Sequence, residues 1–279
     1  MSHSGDEIAV VVCSYELDDI DLTLRVLRSA AQGVPSARTV LVDSSPDGRV
    51  SSAAAGIVGV SCVRASPGRA LGEYRQSGVD ACGTRYVAFL DADALPRSGW
   101  LEALHRAVSR DGVAVAGGPV VPVWPSVRIP VLFRSSAAGS FLSMLNLGIH
   151  EQYVPRVLPG NMAVDLNSMS TDMFDPKLGR ASGSLLGAEE TDAMTRIVAD
   201  GGLILYAPGA AVDHATSADR MNWRWMWRRV FAGGRESVLV EGDLAPMPDS
   251  RSWADRLFLA CVAPAYLAGR ICQKLRRRV

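Results

Sequence analysis

The chain has 279 residues, 48% of them hydrophobic, and 29 Lys and Arg balance 29 Asp and Glu. That length supports one large α/β domain or two small ones around a well-buried core, and the composition excludes a disordered or fibrous chain. Zero net charge excludes the overall basicity that binds nucleic acid, so any partner must be recognised locally.

The N-terminal MSHSGDE is polar and acidic with no apolar signal region, which predicts no secretory address. Ile8 to Cys13, IAVVVC, reads as a parallel strand buried on both faces. A helix follows over Asp18 to Ala31, with Asp18 or Asp19 able to cap its start. Thr39 to Val42 is a second strand, ending in Asp43 and the turn-rich Ser-Ser-Pro-Asp-Gly. Val60 to Val63 is a third, and after Pro67-Gly68-Arg69 a helix runs through Ala81. Tyr86 to Pro96, YVAFLDADALP, is a buried strand that ends in Asp91-Ala92-Asp93, with Pro96 stopping its continuation. Strands alternating with helices predict a doubly wound sheet, with Asp43, Asp91 and Asp93 at carboxyl ends of its strands, where ligands gather. Neither G-x-G-x-x-G nor G-x-x-x-x-G-K-[ST] is present.

Trp100 to Val108 is an amphipathic helix, and Val113 to Pro122 reads as one strand with a Gly-Gly kink. From Trp124 to Val157 the period is lost, and the segment is read as a mobile or partner-facing insertion. Regular structure resumes at Gly160 to Val164, then a helix over Gly187 to Ala199 ended by Gly201-Gly202, then the strand Leu203 to Tyr206 and Val212-Asp213-His214. Arg220 to Arg235 is a basic, Trp-rich helix, Glu241 to Ser250 a Pro- and Asp-rich linker, and Trp253 to Val279 an apolar helix with a basic end. Leu257 to Ala268 is too short to span a bilayer and contains Pro264. Five scattered cysteines without a C-x-x-C pair argue against disulfides or structural zinc and fit a reducing cytoplasm; all but Cys13 are read as buried small hydrophobes.

Alone, Asp91 and Asp93 read either as a turn with two solvated acids or as oxygen ligands for a hard divalent cation, Mg2+ or Mn2+. Glu189, Glu190 and Asp192 open a helix, where acids also stabilise the helix dipole, and His214 follows a late strand. Together the three clusters suit metal-assisted group transfer: a cation neutralises a diphosphate leaving group, a separate carboxylate accepts the proton of an incoming hydroxyl, and neutral His214 completes the metal shell. Arg69 or Arg75 could assist with phosphate charge.

In this order the motifs resemble the family 2 glycosyltransferases, which have the GT-A fold, a Rossmann-like doubly wound mixed sheet. The resemblance runs from about Ile8 to Arg235. Ile8 to Glu16 resembles the opening strand and nucleotide loop, with Cys13 and Glu16 departing from the usual Pro-Thr-Tyr-Asn and Tyr15 at the base-stacking position; Ser14 lies in the same loop. Leu41 to Gly48 resembles the second nucleotide loop, where Asp43 would bond the base, and Gly68 to Gly78 carries Arg75 at the usual Arg-Asn. Asp91-Ala92-Asp93 is similar to the metal motif, with Asp93 the implied direct ligand and Asp91 at the ribose or a metal-bound water. Gly160-Asn161-Met162 resembles the segment facing donor sugar and acceptor. Glu189-Glu190-Thr191-Asp192 resembles the Glu-Asp-x-Asp helix start, implying Glu190 as base with Glu189 second, and Val212-Asp213-His214 resembles the Val-x-His that supplies a metal ligand.

The resemblance implies inverting, metal-dependent transfer from a nucleoside-diphosphate sugar, most often a UDP-sugar, to a hydroxyl acceptor that is a small molecule, a lipid-linked alcohol or a glycan. Met221 stands where processive members carry Gln, implying transfer of one sugar or a few. The expected organisation is a catalytic domain over 1–219, with a nucleotide-binding half (1–123) and an acceptor-binding half (124–219), and a C-terminal helical extension over 220–279. The basic, apolar tail fits peripheral contact with an anionic membrane, an oligomer interface such as a homodimer, or simple packing. Two other functions share the acidic sheet edge: a sugar-nucleotide-forming nucleotidyltransferase, although its Gly-rich basic loop is missing after Cys13, and a non-catalytic binder, although Asp93 and Glu190 are both retained.

Overall fold

Aliphatic runs that are apolar on both faces can be buried only where helices or loops cover each side of a sheet. The computed structural model describes residues 4–14, 19–33, 38–169, 173–174, 185, 187–240 and 252–276. In its first half β1 (Ser4–Ser14), α1 (Ile20–Gly33), β2 (Thr39–Asp43), α2 (Arg49–Ala54), β3 (Val60–Arg64), α3 (Leu71–Cys82) and β4 (Thr84–Asp91) form a parallel array in the order β3-β2-β1-β4. Val10, Val12, Val40, Leu41 and Val42 are fully buried there. Asp19 caps α1, its Oδ1 accepting the Leu22 amide at 3.1 Å; Asp18 lies outside the described residues.

The chain then leaves the sheet earlier than the sequence suggests. β4 ends at Asp91, and Ala94–Pro96 forms β5 in a separate three-stranded sheet of order β5-β11-β7. After α4 (Trp100–Val108), the predicted single kinked strand is two strands in two sheets, β6 (Val113–Gly117) and β7 (Val120–Val123). The break falls where backbone meets backbone: a Cβ on Gly118 would lie 2.0 Å from the Ala210 carbonyl oxygen.

The segment read as a mobile or partner-facing insertion is built into a second core. It holds a 3-10 turn (Val131–Arg134), α5 (Ser136–Gly139) and β8 (Gln152–Tyr153). Phe133, Ala137, Ala138 and Leu142 are buried against Met226, Val230, Phe258 and Val262 of the C-terminal helices, and Asp255 accepts the Ala137 amide at 2.8 Å. Its prolines and mixed aromatics hide any period because its apolar residues face helices distant in sequence.

β9 (Asn161–Asp165) inserts antiparallel between β4 and β6, and a 3-10 turn (Leu166–Ser168) follows. Then come α6 (Glu189–Ala199), β10 (Leu203–Tyr206), β11 (Val212–Ala215), a 3-10 turn (Ala218–Arg220), α7 (Trp223–Leu239) and α8 (Trp253–Arg276). The large sheet has the order β3-β2-β1-β4-β9-β6-β10-β8. The linker from Glu241 to Ser250 lies outside the described residues. All five cysteines are free, as expected, but only Cys82 is buried; Cys62 and Cys261 are exposed on a sheet edge and a helix surface and Cys272 is half-buried. Trp223 and Trp225 pack into the second core, whereas Trp227 is exposed. Among the described residues no helix is long and apolar enough to cross a membrane.

α7 and α8 touch backbone to backbone. A Cβ on Gly234 would lie 2.1 Å from the Tyr266 carbonyl oxygen, and one on Gly269 would lie 2.1 Å from that of Phe231. Gly→Ala in a helix ordinarily stabilises by up to about 1 kcal/mol, but here the added methyl must push two helices apart. Gly269→Ala is therefore expected to lower unfolding free energy by about 1–3 kcal/mol in chemical denaturation; a stabilised variant would contradict the close crossing.

Candidate active site

Strand register assembles the site. Cys13 pairs with both Val42 and Asp91, and Ser14 with Asp43, so three adjacent strands end level with one another. Gly160, at the start of the antiparallel β9, joins the same edge and accepts the Asp91 amide at 3.1 Å. A Cβ on Gly160 would lie 2.0 Å from Asp91 Oδ2, so only glycine leaves room for that carboxylate.

The small sheet brings the third member of the cluster. β11 runs antiparallel to β5 with His214 opposite Ala94, and Ala215 donates its amide to the Asp93 carbonyl at 2.9 Å. This places His214 Nε2 3.4 Å from Asp93 Oδ1. Ligand atoms of Asp91, Asp93 and His214 all lie within 4.8 Å of one another. Two carboxylates and an imidazole fit the donor preferences of Mn2+ or Mg2+. Burial opposes the charge on each group, but their mutual contact wins for the pair: the His214 hydrogen bond holds Asp93 below the ordinary carboxylate range, and Asp93 holds His214 above its ordinary value. Burial pushes Asp91 up, against the pull of Arg75.

Arg75, on α3, connects this cluster to the helix behind it. Its side chain is 3% exposed, and its guanidinium donates to Glu190 Oε1 at 2.8 Å and to Asp91 Oδ1 at 3.4 Å. The Phe174 ring lies 5.7 Å from its guanidinium and stacks edge-on against Phe89. Burial would favour loss of the proton, but the charges of Glu190 and Asp91 outweigh it and keep Arg75 protonated.

Arg75, Asp91, Gly160, Glu190, Thr191 and His214 line one cavity of about 380 Å³. Glu190 thus shares this cavity with Asp91 and His214 of the metal-type cluster. Glu189, its sequence neighbour, is 0% exposed and sits below α3, its Cγ 3.5 Å from where a Cβ on Gly72 would be.

The second loop is held by Asp43. Its Oδ1 accepts from the Ser45 amide and hydroxyl at 2.8 and 2.6 Å, and its Oδ2 from the Ser51 amide and hydroxyl and from Arg64 at 2.9, 2.5 and 2.6 Å. These bonds tie Asp43 to its own loop, to α2 and to β3. Asn161 and Met162 are not part of the cavity lining. Both are fully buried; Asn161 accepts from Trp100 Nε1 at 2.7 Å and donates to the Ala210 and Pro119 carbonyls at 2.8 and 3.1 Å, tying the two sheets together. Of that trio only Gly160 reaches the cavity. Arg69 is exposed, outside the cavity lining, its amide bound to the Tyr74 hydroxyl at 3.1 Å. Tyr15 and Glu16 lie outside the described residues. Desolvation pushes the thiol of the half-buried Cys13 up to about 12. Ala92 sits half-buried in the turn between the two acids.

Sequence reading missed Arg64, Phe174, Arg229 and Glu236. Glu236 of α7 accepts the Gly187 amide at 2.7 Å and pairs with Arg229 at 3.1 Å, bracing the segment that leads into Glu190. Only a charged pair at i, i+7 on a helix was visible beforehand.

Burial opposes ionisation of Asp43, but the Ser45 and Ser51 hydrogen bonds lower its pKa from 3.8 to about 2. A depressed folded value means stability that is complete above about pH 4 and lost as pH falls through about 2, worth about 2 kcal/mol. Chemical denaturation across pH should show Asp43→Asn less stable than the wild type at neutrality, with the two converging toward pH 2. A pH-independent gap would contradict this.

Comparison with known proteins agrees with the geometry. Residues 9–144 match the sequence model of Glycosyl transferase family 2. Over 240 residues the chain is 27% identical to succinoglycan biosynthesis protein ExoM of Rhizobium meliloti, covering 82% of this chain and 73% of that protein. It is 25% identical over 166 residues to a pre-mycofactocin glycosyltransferase of Mycobacterium tuberculosis, covering 60% of this chain but spanning only 34% of that longer protein. The crystal structure of GalNAc-T7 with UDP, GalNAc and Mn2+ superposes with a TM-score of 0.59 at 15% identity, covering 98% of this chain and 54% of that one. Over residues 9–144, just under half of its length, the chain is similar to the family 2 glycosyltransferases, and its fold is the GT-A fold.

Proposed function

We propose that the enzyme transfers a sugar, with inversion and without processive polymerisation, from a nucleoside-diphosphate sugar to a hydroxyl acceptor. The observation that carries this reading is Glu190 lining one cavity with Asp91 and His214, beside which Asp93 lies. The UDP-sugar class of donor is supported by UDP in the GalNAc-T7 structure, and Ser14 and the Asp43 loop form the sheet edge on which the nucleotide would lie.

Asp91, Asp93 and His214 would hold a Mn2+ or Mg2+ ion, which supplies charge neutralisation for the diphosphate leaving group. Glu190 is the base. With Oε1 held by Arg75, its Oε2 is the atom that accepts the acceptor's proton. As the acceptor oxygen bonds to the anomeric carbon, the bond to the diphosphate oxygen breaks, and the new glycoside forms on the opposite face. Arg75 orients Glu190 through the 2.8 Å hydrogen bond to Oε1. Glu189, enclosed under α3, has no path to the acceptor. The neighbouring wall from Ser140, Phe141 and Ser143 and from α7 and α8 completes the acceptor half of the cavity.

A product-release assay with UDP-sugars, beside calorimetric titration of UDP with and without Mn2+, tests these roles. Glu190→Gln is expected to bind UDP as the wild type does while transfer falls at least about 100-fold. Asp93→Ala is expected to lose Mn2+-dependent UDP binding. Wild-type transfer by Glu190→Gln would remove Glu190 as the base.

A further inference from the structure

The cavity has two unlike halves. At the sheet edge Arg75, Asp91, Glu190 and His214 converge. The far wall is contributed by the C-terminal helices, where Val230, Leu259, Val262, Ala263 and Tyr266 face the space. Only the Tyr266 hydroxyl among these five side chains can form a hydrogen bond. The charged groups α7 adds are already engaged: Arg229 pairs with Glu236 at 3.1 Å, and Glu236 also holds the Gly187 amide. A sugar ring placed against this wall would leave several hydroxyls without partners, at a cost for each. An apolar body there loses nothing and gains from leaving water.

Resting on the assignment of Glu190 as base, we propose that the acceptor is an alcohol with an apolar body, its chain or ring lying against α8 and its hydroxyl reaching Glu190. The volume of about 380 Å³ lies within the range of small-molecule sites. The outer face of the same helix points to where such an alcohol comes from. Trp253, Leu257, Leu267, Ile271 and Leu275 are 48–70% exposed along it. Arg256, Lys274 and Arg276 are exposed beside them, while Asp255, the one acid of α8, is buried. An apolar stripe flanked by cations and free of exposed acids matches an anionic lipid surface. The shared chemistry of a membrane lipid and a free apolar aglycone is the apolar-bodied hydroxyl.

The test is calorimetric titration of the full chain with methyl, hexyl and octyl β-D-glucopyranoside below their micellar concentrations, with UDP and Mn2+ titrated separately. Octyl glucoside is expected to bind about tenfold more tightly than hexyl, following the added methylenes, and methyl glucoside weakest. Ala263→Trp, which fills the cavity from α8, is expected to abolish the gain. Equal affinity along the series overturns the proposal, and so does a gain that survives in Ala263→Trp, because the apolar site would then lie elsewhere. Should Ala263→Trp fail to fold, Leu259→Ser serves instead, and the wild-type series still decides. Loss of UDP binding with the chain-length gain intact would overturn the donor assignment alone. Co-sedimentation with phosphatidylglycerol vesicles but not phosphatidylcholine vesicles supports a bilayer-borne acceptor; no sedimentation, with the chain-length gain present, supports a freely diffusing one.

Discussion

A single buried guanidinium holds the candidate site together. Arg75 reaches Asp91 at the end of β4 and Glu190 at the start of α6, two carboxylates that would otherwise face each other with uncompensated charge in a poorly solvated crevice. Breaking a buried pair by removing one partner costs about 3–5 kcal/mol because the remaining charge is left exposed to low dielectric. The arginine therefore does two things at once. It offers both acids an opposite charge, and it sets the separation between the place where a leaving group is neutralised and the place where a proton is taken. The Phe174 ring lies 5.7 Å from the guanidinium and packs edge-on against Phe89.

The remaining architecture serves that geometry through backbone contacts that tolerate no side chain. Gly160 makes room for Asp91, and Gly118 lets the chain pass from the large sheet to the small one, whose β11 carries His214 back beside Asp93. Asn161 locks the two sheets through Trp100 and two carbonyls. The C-terminal helices are not an appendage: through Glu236 they brace the approach to α6, and through α8 they wall the cavity. Catalytic edge and helical extension are thus one packed unit.

Much of this was legible in the sequence, for a physical reason. Buried parallel strands write themselves as continuous Val, Ile and Leu runs, so β1, β2 and β4 and the acids at their ends could be located directly. Asp93 and His214 were recognisable as a pair by motif, and Glu190 by its place at a helix start. What could not be read were contacts between residues far apart in the chain. Nothing local marks Arg64 as the partner of Asp43, or Phe174 as the neighbour of Arg75. Asn161 looked like a ligand-facing residue because an amide can bond a sugar as readily as it bonds a carbonyl, and burial alone decides which. The stretch from Trp124 to Val157 looked irregular because its order comes from α7 and α8 rather than from its own period.

The cation site implied by Asp91, Asp93 and His214 can be located by anomalous diffraction from crystals of the full chain grown with Mn2+ and UDP. One manganese peak bonded by Asp93 and His214, with Glu190 still held by Arg75 and turned toward the open cavity, is the expected result. No peak at that cluster, or a peak that draws Glu190 away from Arg75 into the metal shell, would contradict the separation of metal site from base.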